Sequence, residues 1–398
     1  MNLPVSLGLI KFGRQFLGLV LLSVVLFSTL TACAIPRVTA EQRIFLDLSL
    51  DFLDAYPLPK LTYEGTPVGG LSAIAYDRTR DRFYALSDDG GEKTPARFYT
   101  LNLTVSPANS SKLGIQKVEV TGVTLLKQED GNPYPKGAIN PEGIALSPQQ
   151  SVFVASEGNT GQGIQPFINE FDLQTGEWRQ SLPLPKRYLT DATADTPQGV
   201  PNNLGFESLT IGSGSSPLEP FRVFAATEVP LLQDQDAADS SPPPLPANKN
   251  RFLHYLIQDG PPLLISEHLY PMDNGPQGSF NHGLTEMLSL DQGGHFLALE
   301  RSFGLKGFGA RIFQISTGGA TDTAEIASLK GNVDGIAPIR KKLLLDLSQL
   351  NIPLDNLEGM TIGPRLPDGT QSLLLVSDDN FNPKQTTQFL LFRLNVKS

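Results

Sequence analysis

The chain has 398 residues, of which 40 % are hydrophobic and 18 % charged, with 37 glycines and 32 prolines. This composition allows a large core but requires frequent turns, so it favours an all-β protein over a helical one. The formal net charge is −10. Because nucleic-acid binding depends on clusters of basic side chains, nucleic acid is not an expected partner.

The first 32 residues have the pattern of a signal peptide. Lys11 and Arg14 precede a short acid-free apolar run that begins at Phe16. The run ends in "LTAC", which resembles a bacterial lipobox, and Cys33 is the only cysteine of the chain. The alternative is an ordinary secretory signal with a chance cysteine. We expect cleavage after residue 32, lipidation of Cys33, a tether over residues 33–42, and a monomeric extracytoplasmic domain over residues 43–398 that the lipid anchors to a bacterial membrane.

Five segments with one common pattern follow along the chain. They are "GLSAIAYD" from Gly70, "NPEGIALS" from Asn140, "GFESLTIG" from Gly205, "LTEMLSLD" from Leu284 and "NLEGMTIG" from Asn356. The first has Ser72 at the aligned position, and the other four have a glutamate: Glu142, Glu207, Glu286 and Glu358. The aligned positions are 70, 65, 79 and 72 residues apart.

Each segment is followed by a second apolar stretch that ends in an acid. These acids are Asp88, Glu157, Glu228, Glu300 and Asp378, and Asp379 follows the last one. A third candidate strand comes next, and a further one precedes each segment. Four short strands per period without helical periodicity predict an all-β fold, a β-propeller with five visible repeat units. The pattern leaves five or six blades open, and a degenerate sixth blade would lie within residues 315–350.

Two further features of the repeats have consequences for the fold. The strand near residues 44–52 precedes the first full unit, so we expect it to pair with the last blade and close the ring. The similar stretches "FYALSDDGG" and "LLLVSDDNF" then belong to the two blades that meet at closure. Between Gln233 and Lys249 the Pro, Ser and Asp content predicts a solvated, mobile loop.

The recurring acids predict a cation site. The first strands of a propeller line its central channel, so the glutamates of the repeats are expected to converge, and like charges that close need a base or a metal. Oxygen ligands suit Ca²⁺ better than Zn²⁺, for which the chain offers four His and one Cys. The candidate ligands are Asp88, Glu157, Glu228, Glu300, Asp378 and Asp379. The alternative is that each carboxylate accepts backbone N–H groups of the neighbouring blade and holds the blades together.

The phrases "NPEGIAL", "GFESLTI", "ATEVPL", "LALERSFG" and "NLEGMTIG" with "LLLVSDDNFNPKQTTQFLLFRL" resemble the phytase-like domain family, described as having esterase-like activity of phytase. The resemblance covers nearly all of residues 43–397. It implies a propeller that hydrolyses a small phosphate monoester or diester in an extracytoplasmic setting. Propeller phytases use a basic phosphate-binding cluster beside calcium, and the bases that this implies here are Arg301, Lys306, Arg311 and Lys384, with Arg97 placed within a strand.

Within that resemblance, the candidate catalytic residues are Glu207, Glu358, Glu142 and Glu286. His282 in "FNHGLTE" is a further catalytic candidate. No G-x-S-x-G elbow and no P-loop is present in the sequence, so serine-hydrolase and nucleotide-binding mechanisms have no motif to support them. The alternative function is a non-catalytic propeller that binds a ligand or protein at its channel mouth.

The lipidation hypothesis predicts where the protein is found. Cys33→Ser removes the only thiol that an acyl chain could modify, so the variant should move from the membrane fraction to the soluble fraction. Fractionation and mass spectrometry of the wild-type N-terminus measure this. An unmodified Cys33 in the membrane-bound protein would contradict the hypothesis.

Overall fold

The computed structural model describes residues 44–106, 113–191, 196–212, 219–236, 248–290 and 293–396. The predicted signal peptide, Cys33 and the whole predicted tether over residues 33–42 lie outside the described residues. In the described ranges the chain forms antiparallel strands joined by turns and by four 3-10 helices, Thr160–Gln162, Lys186–Tyr188, Leu232–Asp234 and Leu347–Leu350. None of the helices in these ranges is long and apolar enough to cross a membrane.

Five four-stranded antiparallel sheets form the blades of a β-propeller. Three strands precede the first complete blade: β1 (Leu48–Pro57), β2 (Leu61–Tyr63) and β3 (Thr66–Val68). Blade 1 contains β4 (Leu71–Asp77), β5 (Arg82–Ser87), β6 (Arg97–Val105) and β7 (Ile115–Leu125). Blade 2 contains β8 (Pro141–Leu146), β9 (Ser151–Ser156), β10 (Phe167–Asp172) and β11 (Trp178–Ser181).

The other three blades repeat this order. Blade 3 contains β12 (Phe206–Ile211), β13 (Phe221–Thr227), β14 (Asn248–Ile257) and β15 (Leu263–Met272). Blade 4 contains β16 (Ser279–Ser289), β17 (His295–Gly304), β18 (Gly307–Ser316) and β19 (Arg340–Asp346). Blade 5 contains β20 (Asn356–Arg365), β21 (Gln371–Asp378) and β22 (Gln388–Val396), and its fourth strand is β1.

The ring closes through the N-terminal strand, as the sequence predicts. β1 pairs with β22 in antiparallel register from Leu48 opposite Val396 to Pro57 opposite Gln388. Blade 5 is thus built from both ends of the described chain. This pairing covers the edge of β22, which would otherwise expose unpaired backbone groups.

Of the two blade numbers that the sequence left open, the described residues form five blades and no sixth. Within residues 315–350 the structure has the end of β18, a long connection, β19 and a short 3-10 helix. β19 is the outermost strand of blade 4, where it pairs with β18. The strand that precedes each sequence repeat is therefore the fourth strand of the previous blade, and a long loop before β19 lengthens the period.

The hydrophobic core lies between neighbouring blades. Five clusters of buried side chains each join residues of two adjacent blades. The inner strands are covered on both faces, which is why β9 reads "SVFVAS" and is buried at every position. A strand covered on both faces has apolar residues at consecutive positions, instead of apolar and polar residues in alternation.

The prediction of a solvated loop from Gln233 to Lys249 is partly wrong. Asp234 lies in a 3-10 helix and is buried against Arg251, with a carboxylate oxygen 2.6 Å from Arg251 Nε. Arg251 also pairs with buried Glu267, and buried Lys249 pairs with Asp236. Residues 237–247 lie outside the described residues. Ion pairs therefore fix both ends of the segment. Its polar composition alone does not distinguish such paired charges from solvated ones.

This ion-pair network predicts a large stability difference between two arginines. Arg251→Met leaves the buried carboxylates of Asp234 and Glu267 without their main cation, which should cost about 3–5 kcal/mol of unfolding free energy. The matched control, Arg311→Met, removes a partner of partly exposed Asp346 and should cost about 0–1 kcal/mol. Urea unfolding of both variants measures the difference, and equal losses would contradict the assignment.

Candidate functional site

Each first strand contains a bulge at an equivalent position. Against the second strand, the register skips one position in every blade. The skipped residues are Ser72, Glu142, Glu207, Thr285 and Glu358. A bulge of this kind leaves one residue out of the ladder and redirects its side chain. The five bulges therefore define an inner ring of equivalent positions.

A second ring lies at the end of the second strands. The equivalent residue in each blade pairs with the residue two positions before the bulge, through a ladder pair or a backbone hydrogen bond. These residues are Asp88, Glu157, Glu228, Arg301 and Asp378. Because the two strands are antiparallel, both rings lie at the same end of the channel. We name this end, defined by these ten residues, the acid mouth.

The register corrects the sequence alignment of the fourth repeat by one residue. Thr285 holds the bulge position, so Glu286 lies one residue further along β16, at the position of Gly143 and Gly359. Its Oε1 accepts hydrogen bonds from the backbone N–H of Leu209 at 3.2 Å and from its neighbour Met287 at 2.8 Å. Burial raises the pKa of Glu286 well above its ordinary value. Glu286 therefore joins the first strands of blades 3 and 4.

The same shift moves Glu300 out of the second ring. Glu300 pairs with Leu284, and Arg301 takes the ring position instead. The Glu300 carboxylate accepts hydrogen bonds from Tyr270 Oη at 2.7 Å and from Lys341 Nζ, and lies 3.3 Å from His282 Nε2. Although burial acts to raise it, the pKa of Glu300 is lowered by His282 and Lys341. Glu300 and His282 thus form a network on the opposite face of β17 from Arg301.

The acid mouth surrounds one guanidinium group with carboxylates. The seven acids are Asp88, Glu142, Glu157, Glu207, Glu228, Glu358 and Asp378. Arg301 Nη2 lies 3.1 Å from Glu228 Oε1, 3.5 Å from Glu358 Oε1 and 3.7 Å from Glu207 Oε1. Its side chain is 12 % exposed. One positive charge cannot neutralise seven ionised neighbours, so the mouth requires protons or cations.

Burial and mutual repulsion raise the pKa values of these acids. Burial, followed by the charge of Glu228, raises the pKa of Glu157 to about 8. Burial, followed by Asp379 among the charges that raise it, brings the pKa of Asp378 to about 7. The pKa values of Asp88, Glu142, Glu207 and Glu358 are raised well above their ordinary values by burial and then by neighbouring carboxylates. Burial also raises the pKa of Glu228, against the opposing effect of Arg301.

Three of the mouth acids are arranged as cation ligands. One carboxylate oxygen from each of Glu157, Glu207 and Glu228 lies within 4.8 Å of the other two. Glu207 Oε2 and Asp88 Oδ1 are buried and have no hydrogen-bond partner among the described residues. An all-oxygen donor set with unpaired buried oxygens fits a hard cation such as Ca²⁺. The residues present thus fit the metal that the resemblance implies.

Other acids of the repeats hold the blades together. Asp379 accepts hydrogen bonds from the backbone N–H of Gly70 at 2.8 Å and of Phe381 at 3.1 Å, and it pairs with Lys60. It therefore joins blade 5 to the strand that starts blade 1. Glu157, a member of the three-oxygen cluster, also joins blades, since its Oε1 accepts the backbone N–H of Gly205, at the start of blade 3, at 2.6 Å.

The structure brings Arg301 into the mouth but not the other candidate phosphate-binding bases. Lys306 is exposed in the turn between β17 and β18. Arg311 pairs with Asp346 at 3.2 Å, and Lys384 is exposed in the loop after β21. Arg97 lies buried in β6 and pairs with Asp89 at 2.8 Å, as its predicted place in a strand suggests.

A cavity of about 470 Å³ opens beside the mouth. Its lining includes Asp88, Asn140 and Phe381. Phe381 and the preceding Asn380 both have left-handed backbone angles, with φ of 48° and 47°. The carboxylate of Asp378 accepts the N–H of Asn380 at 2.7 Å, so the mouth acids themselves hold this strained loop. A larger cavity of about 1630 Å³ lies at the other end of the channel, and its lining contains none of the seven mouth acids.

Comparisons with known proteins identify the family. The model of the phytase-like family, described as esterase-like activity of phytase, matches residues 66–381. No curated protein sequence matches the chain.

Solved structures with a similar chain path include two α-L-arabinofuranosidases. The GH62 catalytic domain from Coprinopsis cinerea is 11 % identical, with a TM-score of 0.41 and coverage of 87 % of this chain and 97 % of that one. The enzyme from Podospora anserina is 10 % identical, with a TM-score of 0.40 and coverage of 86 % and 96 %. At these scores the likeness carries no argument about activity.

The raised pKa values predict how stability depends on pH. An acid whose pKa is higher in the folded state binds its proton more tightly there, so its contribution is complete below the unfolded value near 4.5 and is lost as pH rises through the folded value. For Glu157 that window ends near pH 8. Without divalent cations, the melting temperature should therefore fall from pH 5 to pH 8.5.

Glu157→Gln provides the matched control for this dependence. The amide cannot ionise, so the variant should lose less stability than the wild type over the same pH range. Calorimetric melting in EDTA measures both proteins. A wild-type melting temperature that rises with pH would contradict the clustered, proton-loaded mouth.

Proposed function

The chain belongs to the phytase-like family, and from this premise we propose that it hydrolyses phosphate monoesters or diesters at the acid mouth with Ca²⁺ as cofactor. The observation that carries the proposal is the crowding of seven carboxylates at the acid mouth, three of which lie within 4 Å of Arg301 and three of which place an oxygen within 4.8 Å of one another. Purely structural acids would be expected to have their oxygens satisfied, yet Glu207 and Asp88 each have a buried oxygen that no described residue contacts through a hydrogen bond. We also propose that the enzyme works outside the cytoplasm, as its "LTAC" sequence suggests.

Glu157, Glu207 and Glu228 are the residues that would hold the metal. Their oxygens already lie within 4.8 Å of one another. When bound, Ca²⁺ would supply positive charge to an anionic ester and lower the pKa of a coordinated water. The bulge in β12 and the ends of β9 and β13 fix the three side chains on rigid strands, so the ligands need little rearrangement.

Arg301 would bind and orient the phosphoryl group. Within the described part of the chain its Nε is buried without a hydrogen-bond partner, so one donor of the fork is available while Nη2 faces Glu228. A guanidinium donates to phosphoryl oxygens in a fixed plane, which aligns the ester as well as attracting it. The surrounding carboxylates in turn keep Arg301 in place.

Glu358 is the best placed general base. Asn356 Nδ2 donates to its Oε1 at 2.7 Å and so orients the carboxylate. Burial and the nearby Asp378 raise the pKa of Glu358, so that its ionised form is a stronger base than a solvated glutamate. In its ionised form Glu358 would take the proton of the attacking water, and Glu142 lies in the same ring, in blade 2.

A non-catalytic binding propeller is the second candidate. It is favoured by the hydrogen bonds of Glu157 and Asp379 to backbone N–H groups of the next blade, which are architectural contacts. If all mouth acids act in this way, the cavity beside Asp88 would bind a ligand without turnover.

Two substitutions separate these functions. Glu358→Gln removes the general base and should lower kcat about 10²- to 10⁴-fold while Ca²⁺ affinity is largely kept. Glu207→Gln removes one metal ligand and should lower both Ca²⁺ affinity and kcat. Steady-state hydrolysis of a phosphate ester panel and calcium titration calorimetry measure these effects.

Glu286→Gln is the control for both variants. The buried Glu286 carboxyl holds its proton and accepts backbone hydrogen bonds, which an amide oxygen also does. Its turnover should therefore stay near wild type. Unchanged turnover with lowered melting temperature in Glu207→Gln and Glu358→Gln would favour the binding propeller.

A further inference from the structure

Blade 4 extends beyond the acid mouth. β16 begins six residues before its bulge residue Thr285, whereas the first strands of the other blades begin one or two residues before theirs. β17 continues to Gly304, past Arg301. Residues 279–284, 301–304 and 307–310 thus form a three-stranded projection, which we name the flap. At about 3.3 Å per residue, the three residues that follow Arg301 in β17 carry the flap roughly 10 Å above the mouth.

One face of the flap is aromatic and exposed. Phe303 pairs directly with Phe308, and their rings lie 4.7 Å apart. Phe280 packs edge-on against Phe303 at 6.3 Å. Phe280 is 65 % exposed, and Leu305 at the tip is 81 % exposed. An exposed apolar cluster of this kind, next to a polar site, is a feature of ligand-binding surfaces.

The aromatic face is continuous with Arg301. Phe303 follows Arg301 by two residues in β17, so both side chains leave the same face of the flap. The opposite face carries Ser302, which is buried, beside His282. Two residues of a strand span about 7 Å, comparable with the distance from a phosphoryl group to the far side of an aryl ring attached to it.

We propose that the aromatic face of the flap binds the alcohol portion of the ester and selects phosphate esters of aryl or other apolar alcohols. This inference rests on the proposed function, because it places the phosphoryl group at Arg301. Phe280 and Phe303 are then specificity-determining residues. Stacking and edge contacts with the aryl ring supply the preference, while the chemistry of the acid mouth is common to all esters.

The test compares a flap variant with a matched control. The double variant Phe280→Ala/Phe303→Ala removes the two rings, and Leu343→Ala removes an apolar side chain that is 48 % exposed on the outermost strand of the same blade. Phenyl phosphate and methyl phosphate are the substrates, with Ca²⁺ present. Wild type and Leu343→Ala should prefer phenyl phosphate in kcat/KM, and the double variant should lose about tenfold of that preference. An unchanged preference in the double variant would overturn the proposal.

A binding measurement separates this inference from the proposed function. Calorimetry with phenylphosphonate and methylphosphonate reads the aromatic contact without turnover. If the wild type hydrolyses neither ester, the proposed function fails. Calorimetry then still tests whether the aromatic face of the flap binds an aryl group. Tighter binding of phenylphosphonate to wild type, lost in Phe280→Ala and in the double variant, supports the aromatic face. Equal affinities, or no binding of either phosphonate, would overturn it. Melting curves of the variants verify that they fold.

Discussion

One constraint governs the channel end of this protein: the negative charge of seven crowded carboxylates near Arg301 must be compensated. In water such a cluster would disperse, but here the backbone fixes every member on a strand end or a bulge. The cost of burying like charges appears as raised pKa values: about 7 for Asp378, about 8 for Glu157, and well above the ordinary value for Asp88, Glu142, Glu207 and Glu358. A cluster of carboxyl groups whose pKa values are raised to neutral pH or above is suited to exchange its protons for a divalent metal.

The propeller fold crowds these carboxylates because equivalent positions of successive blades meet around one axis. One bulge and one strand end per blade give two rings at the same end of the channel, so a residue chosen once per repeat recurs around the axis. Small residues such as Gly143 let the first strands approach, since a Cβ there would lie 2.4 Å from the Glu207 carbonyl oxygen. The same close approach lets Glu286 bond to a neighbouring first strand. Architecture and site are therefore made by the same residues.

The repeat predicted the propeller, the closing strand and most of the mouth, because apolar strands and their terminal acids recur at regular spacing. The sequence alignment of blade 4 was wrong by one residue, because it matched glutamates and so assigned Glu286 and Glu300 to the two rings. Aligning "GLT" of the fourth repeat with "GLS" of the first and "GFE" of the third instead assigns Thr285 and Arg301 to these positions, as the structure does. The ion pair of Arg251 with Asp234 could not be foreseen, because it joins a polar loop to a strand and leaves no local pattern. The aromatic flap could not be predicted either, because the sequence does not show that β16 and β17 extend beyond the mouth.

Counting protons during Ca²⁺ binding tests the central claim most directly. Titration calorimetry of the wild type at pH 7 in two buffers of different ionisation enthalpy gives the number of protons released when the metal binds. Because the mouth holds protons through raised pKa values, we expect saturable Ca²⁺ binding with net proton release that declines as pH rises above about 8. Absence of Ca²⁺ binding, or binding without any proton release at pH 7, would contradict the account.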